Sequence, residues 1–530
     1  MKENSILRCK WFLYATGFFS GMSVMAIELG ASRLLAPYFS SSQIVWTVII
    51  GTIMIAMAIG NVWGGRSADK NPDPRKLYFR ILLVAIWTAL IPFAGKYVIA
   101  GITVLLALFV SSNFLVWASF ASCVVLFVFP LMILGTITPS LIKYATDSLE
   151  DNGKTVGELE ALGTIGSIIG TFTPTFITIP ALGTSRTFLL FAAILAVISG
   201  VFFAADSGRG KRTACMILSV LVAASAFLPV TDSFAFWEDN IVYEGESIYN
   251  YLQVKETDNS VILSTNVAAG VQSIMMKDGG LTGMYYDYAM AAPLMTDRPE
   301  TAEMLILGLG TGTYANQCLK YFPDIKIDGV EIDESITELA REYFDLSDKV
   351  RVTVEDGRAY LSQAGMYDVI MVDAYQDITI PFQMSTVEFF TAVRQHLKDN
   401  GVMVVNMNMT SSGEDGINDY LCDTIASVFP NVFTVNVSKN TNTELFASAA
   451  NGMLERFEEN RSRLEDEPLS AHMQRVYDSL KPAAGGEKIL TDDKAPVEML
   501  GIKAIDEIIG DELEWIREAI KQGDFSSILG

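Results

Sequence analysis

The chain has 530 residues with a formal net charge of −23, which is divided unevenly between a largely apolar first part and an acidic second part. Residues 1–230 contain 16 Lys or Arg and 10 Asp or Glu, whereas residues 231–530 contain 22 and 51. Such an acidic part repels nucleic acid phosphates, so we expect no nucleic acid partner. The charge is compatible with a cationic substrate, but acidity that serves solubility alone explains it equally well.

Side chains for several common kinds of site are scarce in this sequence. It has two histidines and five scattered cysteines, with no CxxC pair among them. Two histidines are too few for a histidine-rich metal centre and leave few candidates for a Ser-His-Asp triad. The cysteines lack the spacing of a disulfide framework. We expect no metal site.

Long uncharged apolar stretches recur through residues 1–232, and they predict an α-helical membrane domain. One stretch is long enough for two helices with a turn near residues 111–113, so the pattern predicts about eight spans. The stretches run from Trp11 to Ile27, Leu34 to Gly65, Ile81 to Gly95, Tyr97 to Ile142, Ala161 to Ser185, Thr187 to Ala205 and Thr213 to Thr231.

Lysine and arginine residues indicate how these spans are oriented. Five of them lie in residues 66–80, between the second and third stretches, and three more precede the first stretch. Because cytoplasmic loops carry an excess of Lys and Arg, both segments are expected in the cytoplasm. An even number of spans then predicts a multi-pass protein of the cell (inner) membrane whose acidic part is cytoplasmic. This arrangement leaves the basic residues in 209–212 on the non-cytoplasmic side of the membrane.

A few charged residues interrupt the apolar stretches. Glu28 and Arg33 lie in the first helix, and Glu158 and Glu160 lie near the start of a later one. Two interpretations remain open, because such residues either pair and hold the bundle together or mark a path for cations.

In the acidic part, the residues from Glu303 onward have the order strand, glycine loop, helix and strand. The apolar run Met304 to Leu307 is followed by Gly308, Gly310 and Gly312, and a second strand ends at Glu331. Glycines at a strand end let the backbone approach a ligand closely, and an acid about twenty residues later can bind ribose hydroxyls. This pattern predicts a nucleoside site in a doubly wound sheet.

Two further strand ends carry acids. One predicted strand leads into Asp356 and Gly357, and another leads into Asp373. Because the carboxyl ends of parallel strands meet beside the glycine loop, Asp356 is expected near an adenine amino group and Asp373 near the reacting carbon.

The segments GLGTGT, GVEID, VEDGRAYL and YDVIMVDAYQD together resemble the spermidine synthases, aminopropyltransferases with a methyltransferase-type Rossmann fold. SIYNYLQV and AAGVQS resemble the small β-strand domain that precedes this fold. With its apolar first part, the chain is similar to the membrane-fused bacterial group. The expected domains are a transmembrane domain (1–232), a small β-strand domain (240–295) and a Rossmann-like catalytic domain (296–530).

The resemblance implies transfer of an aminopropyl group from decarboxylated S-adenosylmethionine to an amine such as putrescine, with release of methylthioadenosine. The resemblance implies no permanently bound cofactor. It also implies a homodimer. Asp373 is the implied base. The implied nucleoside-binding residues are Gln272, Gly308, Gly310, Gly312, Glu331, Asp356 and Gly357. The implied amine-binding residues are Tyr249, Tyr285, Asp287, Tyr375, Gln376 and Asp377.

Some positions depart from the family pattern. Thr311 occupies the place of an aspartate in the glycine loop, and Gln376 occupies the place of a second catalytic-loop aspartate, with Asp377 one position late. Intact S-adenosylmethionine therefore stays open as the donor, as does an amine other than putrescine. Two other functions also stay open, a methyltransferase on the same fold and a polyamine transporter or sensor.

Overall fold

The structure is a computed structural model that forms two compact units, Met1–Phe236 and Trp237–Gly530. We treat each unit by itself. The structure describes residues 9–40, 42–110, 112–145, 152–206, 212–230, 233–267, 271–374, 380–408, 416–438 and 441–522.

The first unit is a bundle of helices. In its described residues, six helices are long and apolar enough to cross a membrane, and a seventh is apolar but shorter. The long helices are α1 (Lys10–Phe39), α2 (Gln43–Lys70), α3 (Pro74–Ala107), α4 (Phe114–Ala145), α5 (Gly153–Leu182) and α6 (Thr184–Ala205), and the short one is α7 (Arg212–Ser225).

Six long helices correct the predicted count of about eight spans. The two predicted stretches on either side of Lys96 belong to the single helix α3. The charge of Lys96 does not end the helix, because its Nζ donates a hydrogen bond of 2.9 Å to the Ser233 carbonyl oxygen. The last predicted span is α7, whose 14 residues rise only about 21 Å. The predicted turn near residues 111–113 lies between α3 and α4.

Ion pairs connect the helix ends at one end of the bundle. Arg75, at the start of α3, donates two hydrogen bonds of 2.8 and 3.0 Å to Asp206, just after α6. The Lys143 Nζ in α4 lies 3.0 Å from an oxygen of Asp69 in α2. The α2–α3 turn and the ends of α4 and α6 are therefore at the same end of the bundle.

The second unit begins with a four-stranded antiparallel sheet. Its strands are β1 (Ile241–Glu246), β2 (Tyr251–Glu256), β3 (Ser260–Ser264) and β4 (Ser273–Met276), in that order. Apolar side chains of β2 and β3 pack against Ile336, Leu339 and Phe344 of the following domain. This contact fixes the small sheet beside the larger one.

An eight-stranded mixed sheet forms the centre of the second unit, in the order β12-β10-β11-β9-β8-β5-β6-β7. The pairs that join β5 through β9 are parallel, and those that join β9 through β12 are antiparallel. These strands are β5 (Glu303–Leu307), β6 (Lys326–Glu331), β7 (Val350–Val354), β8 (Tyr367–Val372), β9 (Leu397–Met407), β10 (Asn431–Asn436), β11 (Thr443–Ser448) and β12 (Lys481–Pro482).

The strand order reverses at β5, since β6 and β7 follow on one side and β8 and β9 on the other. Leu307 of β5 pairs with Val330 of β6 and Val372 of β8, so three carboxyl ends lie together at the switch point where doubly wound folds bind ligands. The predicted fold class is confirmed. The helices here are α8 (Tyr285–Ala289), α9 (Ala291–Leu294), α10 (Thr313–Tyr321), α11 (Glu334–Tyr343), α12 (Gly357–Leu361), α13 (Val387–Gln395), α14 (Ile417–Val428), α15 (Met453–Arg461), α16 (Glu467–Ser479) and α17 (Val497–Gln522).

Candidate active site

The glycine loop after β5 has left-handed backbone conformations that favour glycine. Gly308 and Gly310 have φ values of 88° and 55°. A Cβ on Gly308 would lie 2.4 Å from the Asp373 carbonyl oxygen, so any side chain there collides with the neighbouring strand end. Both glycines line a cavity at the switch point. Gly312, which was also predicted to bind nucleoside, instead packs against Leu346 at the start of α10.

Glu331, the predicted ribose ligand, is the last residue of β6 and lines the cavity. Its carboxylate accepts hydrogen bonds from the backbone N–H groups of Gly310 at 2.9 Å and Asp333 at 3.1 Å. Burial raises the pKa of this carboxyl above its ordinary value. Glu331 therefore fixes the glycine loop and forms part of the cavity wall.

Asp356 lies at the end of the neighbouring strand β7. It lines the cavity together with Glu355 and Gly357, and its Oδ1 accepts a hydrogen bond from the Ala359 N–H at 2.8 Å. Asp356 is thus both the N-cap of α12 and a wall of the cavity. The side chain of Met384 closes the cavity beside Gly357.

The loop between β1 and β2 forms another wall of the cavity. Tyr249 and Asn250 line it, as does Gln272 just before β4. The loop is held to the end of β6 by Asp333, whose Oδ2 accepts from the Ser247 hydroxyl at 2.5 Å and the Asn250 amide at 3.2 Å. Tyr249 and Gln272 therefore line the same cavity, and their role in binding stays a prediction.

Asp373 follows β8 and faces the cavity beside the glycine loop. Its Oδ2 accepts a hydrogen bond of 2.5 Å from the Tyr285 hydroxyl, and its Oδ1 accepts one of 2.9 Å from the Asn406 amide. Desolvation raises the pKa of Asp373 to about 7, although both hydrogen bonds oppose the shift. A carboxyl group with this pKa can gain or lose a proton near neutral pH.

Asp287, a predicted amine ligand, is turned away from the cavity. Its carboxylate accepts hydrogen bonds from the Thr282 and Gly283 backbone N–H groups and from the Gln317 amide. It is 1% exposed and is absent from the described cavity lining. Asp287 therefore supports the turn that carries Tyr285. Tyr375, Gln376 and Asp377 lie outside the described residues.

Sequence reasoning missed two polar residues beside Asp373. Asn406 lies near the end of β9, where its Oδ1 accepts a hydrogen bond of 2.7 Å from the Asn442 amide. Glu444 pairs with Asn406 in the antiparallel register of β9 and β11, so both side chains lie on the same face of the sheet. The signal was available, because each residue is a polar interruption of an apolar strand.

Glu444 has an unusual environment. It is 0% exposed, and neither carboxylate oxygen has a hydrogen-bond partner among the residues that the structure describes. Burial, followed by the charge of Asp373, raises the pKa of Glu444 well above its ordinary value. Glu444 is absent from the described cavity lining but is close enough to Asp373 for electrostatic interaction. An uncompensated buried carboxyl group is costly, and a cationic ligand that brings hydrogen-bond donors would stabilise it.

The charge of the cavity lining is one-sided. The described lining residues include four acids and no Lys or Arg, and the acids are Glu331, Glu355, Asp356 and Asp373. Such a lining favours a cation and disfavours a ligand carboxylate.

Comparison with known proteins places this site in a family context. Residues 284–446, which include every site residue from Tyr285 to Glu444, match the spermine/spermidine synthase domain. The chain is 52% identical over 339 residues to a probable polyamine aminopropyl transferase of Bifidobacterium longum, covering 61% of this chain and 76% of that protein. It is 29% identical over 226 residues to a polyamine aminopropyltransferase of Vibrio vulnificus, covering 41% and 74%. A spermidine synthase structure from Thermotoga maritima is 18% identical, with 52% of this chain and 87% of that chain covered and a TM-score of 0.35.

Proposed function

Because the chain belongs to the spermidine synthase family of polyamine aminopropyltransferases, we propose that it transfers the aminopropyl group of decarboxylated S-adenosylmethionine to an amine such as putrescine. The observation that carries this proposal is Asp373, a carboxyl group with a pKa of about 7 in a cavity lined by acids. A cationic acceptor fits that charge, and its ammonium must lose a proton before it can attack.

Asp373 is the base in the proposed reaction. The ionised carboxylate takes a proton from the acceptor ammonium, and the freed amine attacks the methylene carbon next to the sulfonium. The new C–N bond forms as the C–S bond breaks, and methylthioadenosine leaves as a neutral thioether. Tyr285 and Asn406 position the carboxylate by donating to its two oxygens. Catalysis then consists of positioning and proton transfer, since the sulfonium already provides a good leaving group.

The proposed nucleoside contacts follow the strand ends. Gly308 and Gly310 let the backbone approach the donor, Glu331 binds the ribose hydroxyls, and Asp356 with Gly357 borders the adenine. Gln272 and Tyr249 close the cavity from the small sheet. Tyr285 and Glu444 belong to the acceptor side, beside Asp373.

The charge of the lining distinguishes the two candidate donors. Intact S-adenosylmethionine would bring a carboxylate into a site whose described lining has four acids and no basic side chain. We therefore expect decarboxylated S-adenosylmethionine to bind roughly tenfold or more tightly than the intact compound, equivalent to about 1.4 kcal/mol. Isothermal titration of each compound measures this ratio, and equal or reversed affinities would contradict the proposed donor.

The nucleoside product separates aminopropyl transfer from methyl transfer. At equal concentration, the ligand with the lower Kd for the folded state stabilises it more, so we expect methylthioadenosine to raise the Tm more than S-adenosylhomocysteine. The opposite order would favour a methyltransferase. Gly308→Ala is the matched control, because its Cβ would collide with the Asp373 backbone and block either nucleoside.

The pH dependence of turnover tests the assignment of the base. Asp373 must be ionised to accept a proton, so the rate should fall as pH drops through about 7. Asn406→Ala removes a hydrogen bond that lowers the pKa of Asp373, so this acidic limb should move to higher pH. Asn400→Ala, at the other end of β9, is the control and should leave the profile unchanged. An unshifted limb in Asn406→Ala would argue against Asp373 as the titrating base.

We also propose that this is a multi-pass protein of the cell (inner) membrane with its catalytic unit in the cytoplasm. With six crossings, the basic segments at residues 66–80 and 209–212 fall on one side, as the excess of Lys and Arg in cytoplasmic loops requires. The Arg75–Asp206 ion pair supports this arrangement, because it joins the starts and ends of helices at one end of the bundle. The three-domain division and the homodimer stay predictions.

A further inference from the structure

The six long helices of the first unit pack as two equivalent groups of three. Helix α1 packs along α5, α2 packs along α4, and α3 packs along α6. If α1, α2 and α3 exchange places with α4, α5 and α6, respectively, the α1–α5 pair becomes the α4–α2 pair. The α3–α6 pair then becomes itself. The same exchange relates the contact of α1 with α6 to that of α4 with α3. The packing therefore has an internal twofold pattern.

Glycines make the two corresponding helix pairs equally close. A Cβ on Gly166 of α5 would lie 2.0 Å from the Phe18 carbonyl oxygen of α1. A Cβ on Gly60 of α2 would likewise lie 2.0 Å from the Met132 carbonyl oxygen of α4. In both pairs the backbones touch directly, as small residues permit between apolar helices. Each group has an odd number of helices, so the chain would enter the second group from the opposite side of the membrane. With six crossings, the two groups would therefore have inverted membrane orientations.

An ionisable residue lies where the two groups meet. Glu28 is 18 residues past the start of α1, near the middle of this 30-residue helix. It is close enough to Cys123 of α4 for electrostatic interaction, and the Cys123 thiol is within hydrogen-bond range of Thr52 in α2. The Glu28 side chain is half-buried within the bundle. A carboxyl group at this depth is costly and marks a functional position.

The helix beside Glu28 is irregular. A π-helical segment, Val124–Val128, begins directly after Cys123, and the Leu126 carbonyl oxygen in it accepts a hydrogen bond of 2.8 Å from the Trp87 indole. The adjacent Ser122 hydroxyl is 0% exposed and has no partner among the described residues. Short π-helical segments within α-helices are frequent at functional sites, and carriers built from inverted repeats bind their cargo where the repeats meet.

We propose that the first unit is a carrier whose two inverted three-helix groups enclose a cation site at Glu28, and that its cargo is a cationic amine. The repeat pattern, the half-buried Glu28 carboxylate and the π-helical segment of α4 carry the site. The choice of an amine as cargo rests on the proposed function of the second unit.

Uptake of radiolabelled putrescine and spermidine by proteoliposomes of the full chain tests this proposal. We expect uptake above that of protein-free liposomes, and a loss of tenfold or more in Glu28→Gln. Glu160→Gln is the matched control, because Glu160 is exposed near the start of α5, and it should transport normally. No uptake by the parent protein, or equal uptake by Glu28→Gln, overturns the carrier.

Two further measurements keep this result separate from folding and from catalysis. Glu28→Asp retains the charge and should retain part of the uptake, so a complete loss in both variants with intact aminopropyl transfer contradicts a role for the carboxylate charge. Asp373→Asn should lose transfer and keep uptake. Uptake without transfer in the parent would overturn the proposed enzyme alone, and transfer without uptake would overturn the carrier alone.

Discussion

Asp373→Asn is expected to lower turnover by about 10²- to 10⁴-fold, the usual contribution of a positioned general base. The asparagine keeps the size of the side chain and can still accept from Tyr285, but it cannot take the proton from the acceptor ammonium. Binding of methylthioadenosine should remain within about twofold of the parent value, since the proposed nucleoside contacts lie mainly at other strand ends. Steady-state kinetics and isothermal titration measure these two quantities.

The control for this variant is Asp324→Asn. Asp324 is exposed in the loop before β6, at the edge of the sheet opposite the cavity, and should leave turnover unchanged. If Asp373→Asn retained more than a tenth of the parent turnover with the same pH profile, another group would have to be the base.

Glu444→Gln is expected to raise the KM for the acceptor amine by roughly 10- to 150-fold, because a hydrogen bond to a charged group contributes about 1.5–3 kcal/mol. Glu444 is fully buried and lacks a hydrogen-bond partner in the described residues, and it lies on the same sheet face as Asn406, which holds Asp373. An acceptor ammonium would supply the missing donors. The affinity for the nucleoside should not change, because Glu444 is absent from the described cavity lining that contains the proposed nucleoside contacts.

Glutamine fills the same volume as glutamate, so the variant removes the charge without leaving a cavity. Glu455→Gln, on the exposed face of α15, is the control and should keep the parent KM. Proton release gives a second readout. Burial raises the pKa of Glu444 and a bound ammonium would lower it again, so amine binding should release more protons from the parent than from Glu444→Gln. An unchanged KM together with unchanged proton release would remove Glu444 from the site.

The central part of the candidate site was predictable from local patterns. Gly308, Glu331 and Asp373 each directly follow or end an apolar strand, and parallel strands bring their carboxyl ends together. The strand-end acids could therefore be placed in one cavity before any coordinates were available. The same rule located Asp356, which the structure also uses as a helix cap.

The acceptor side was not predictable in this way. Asn406 and Glu444 lie on β9 and β11, and only the antiparallel insertion of β11 between β10 and β9 brings Glu444 to Asn406. That register cannot be read from either strand alone. The orientation of Asp287 was not predictable for a related reason. Its position in the sequence near Tyr285 does not reveal that its carboxylate accepts hydrogen bonds from the N–H groups of the preceding turn.

The number of apolar helices was overestimated because hydropathy treats any charge as a break. Lys96 separates two apolar stretches in the sequence, yet its ammonium finds a backbone carbonyl and α3 continues through it. In the proposed orientation, six crossings would put the connection between α6 and α7 on the same side as residues 66–80, which agrees with the Lys and Arg residues of both segments.

Turnover of the purified full chain tests the central claim most directly. With decarboxylated S-adenosylmethionine and a panel of diamines and polyamines, we predict equimolar formation of methylthioadenosine and one aminopropylated amine, and loss of both products in Asp373→Asn. Absence of methylthioadenosine with every amine in the panel, or the same yield from Asp373→Asn as from the parent protein, would contradict the proposed function.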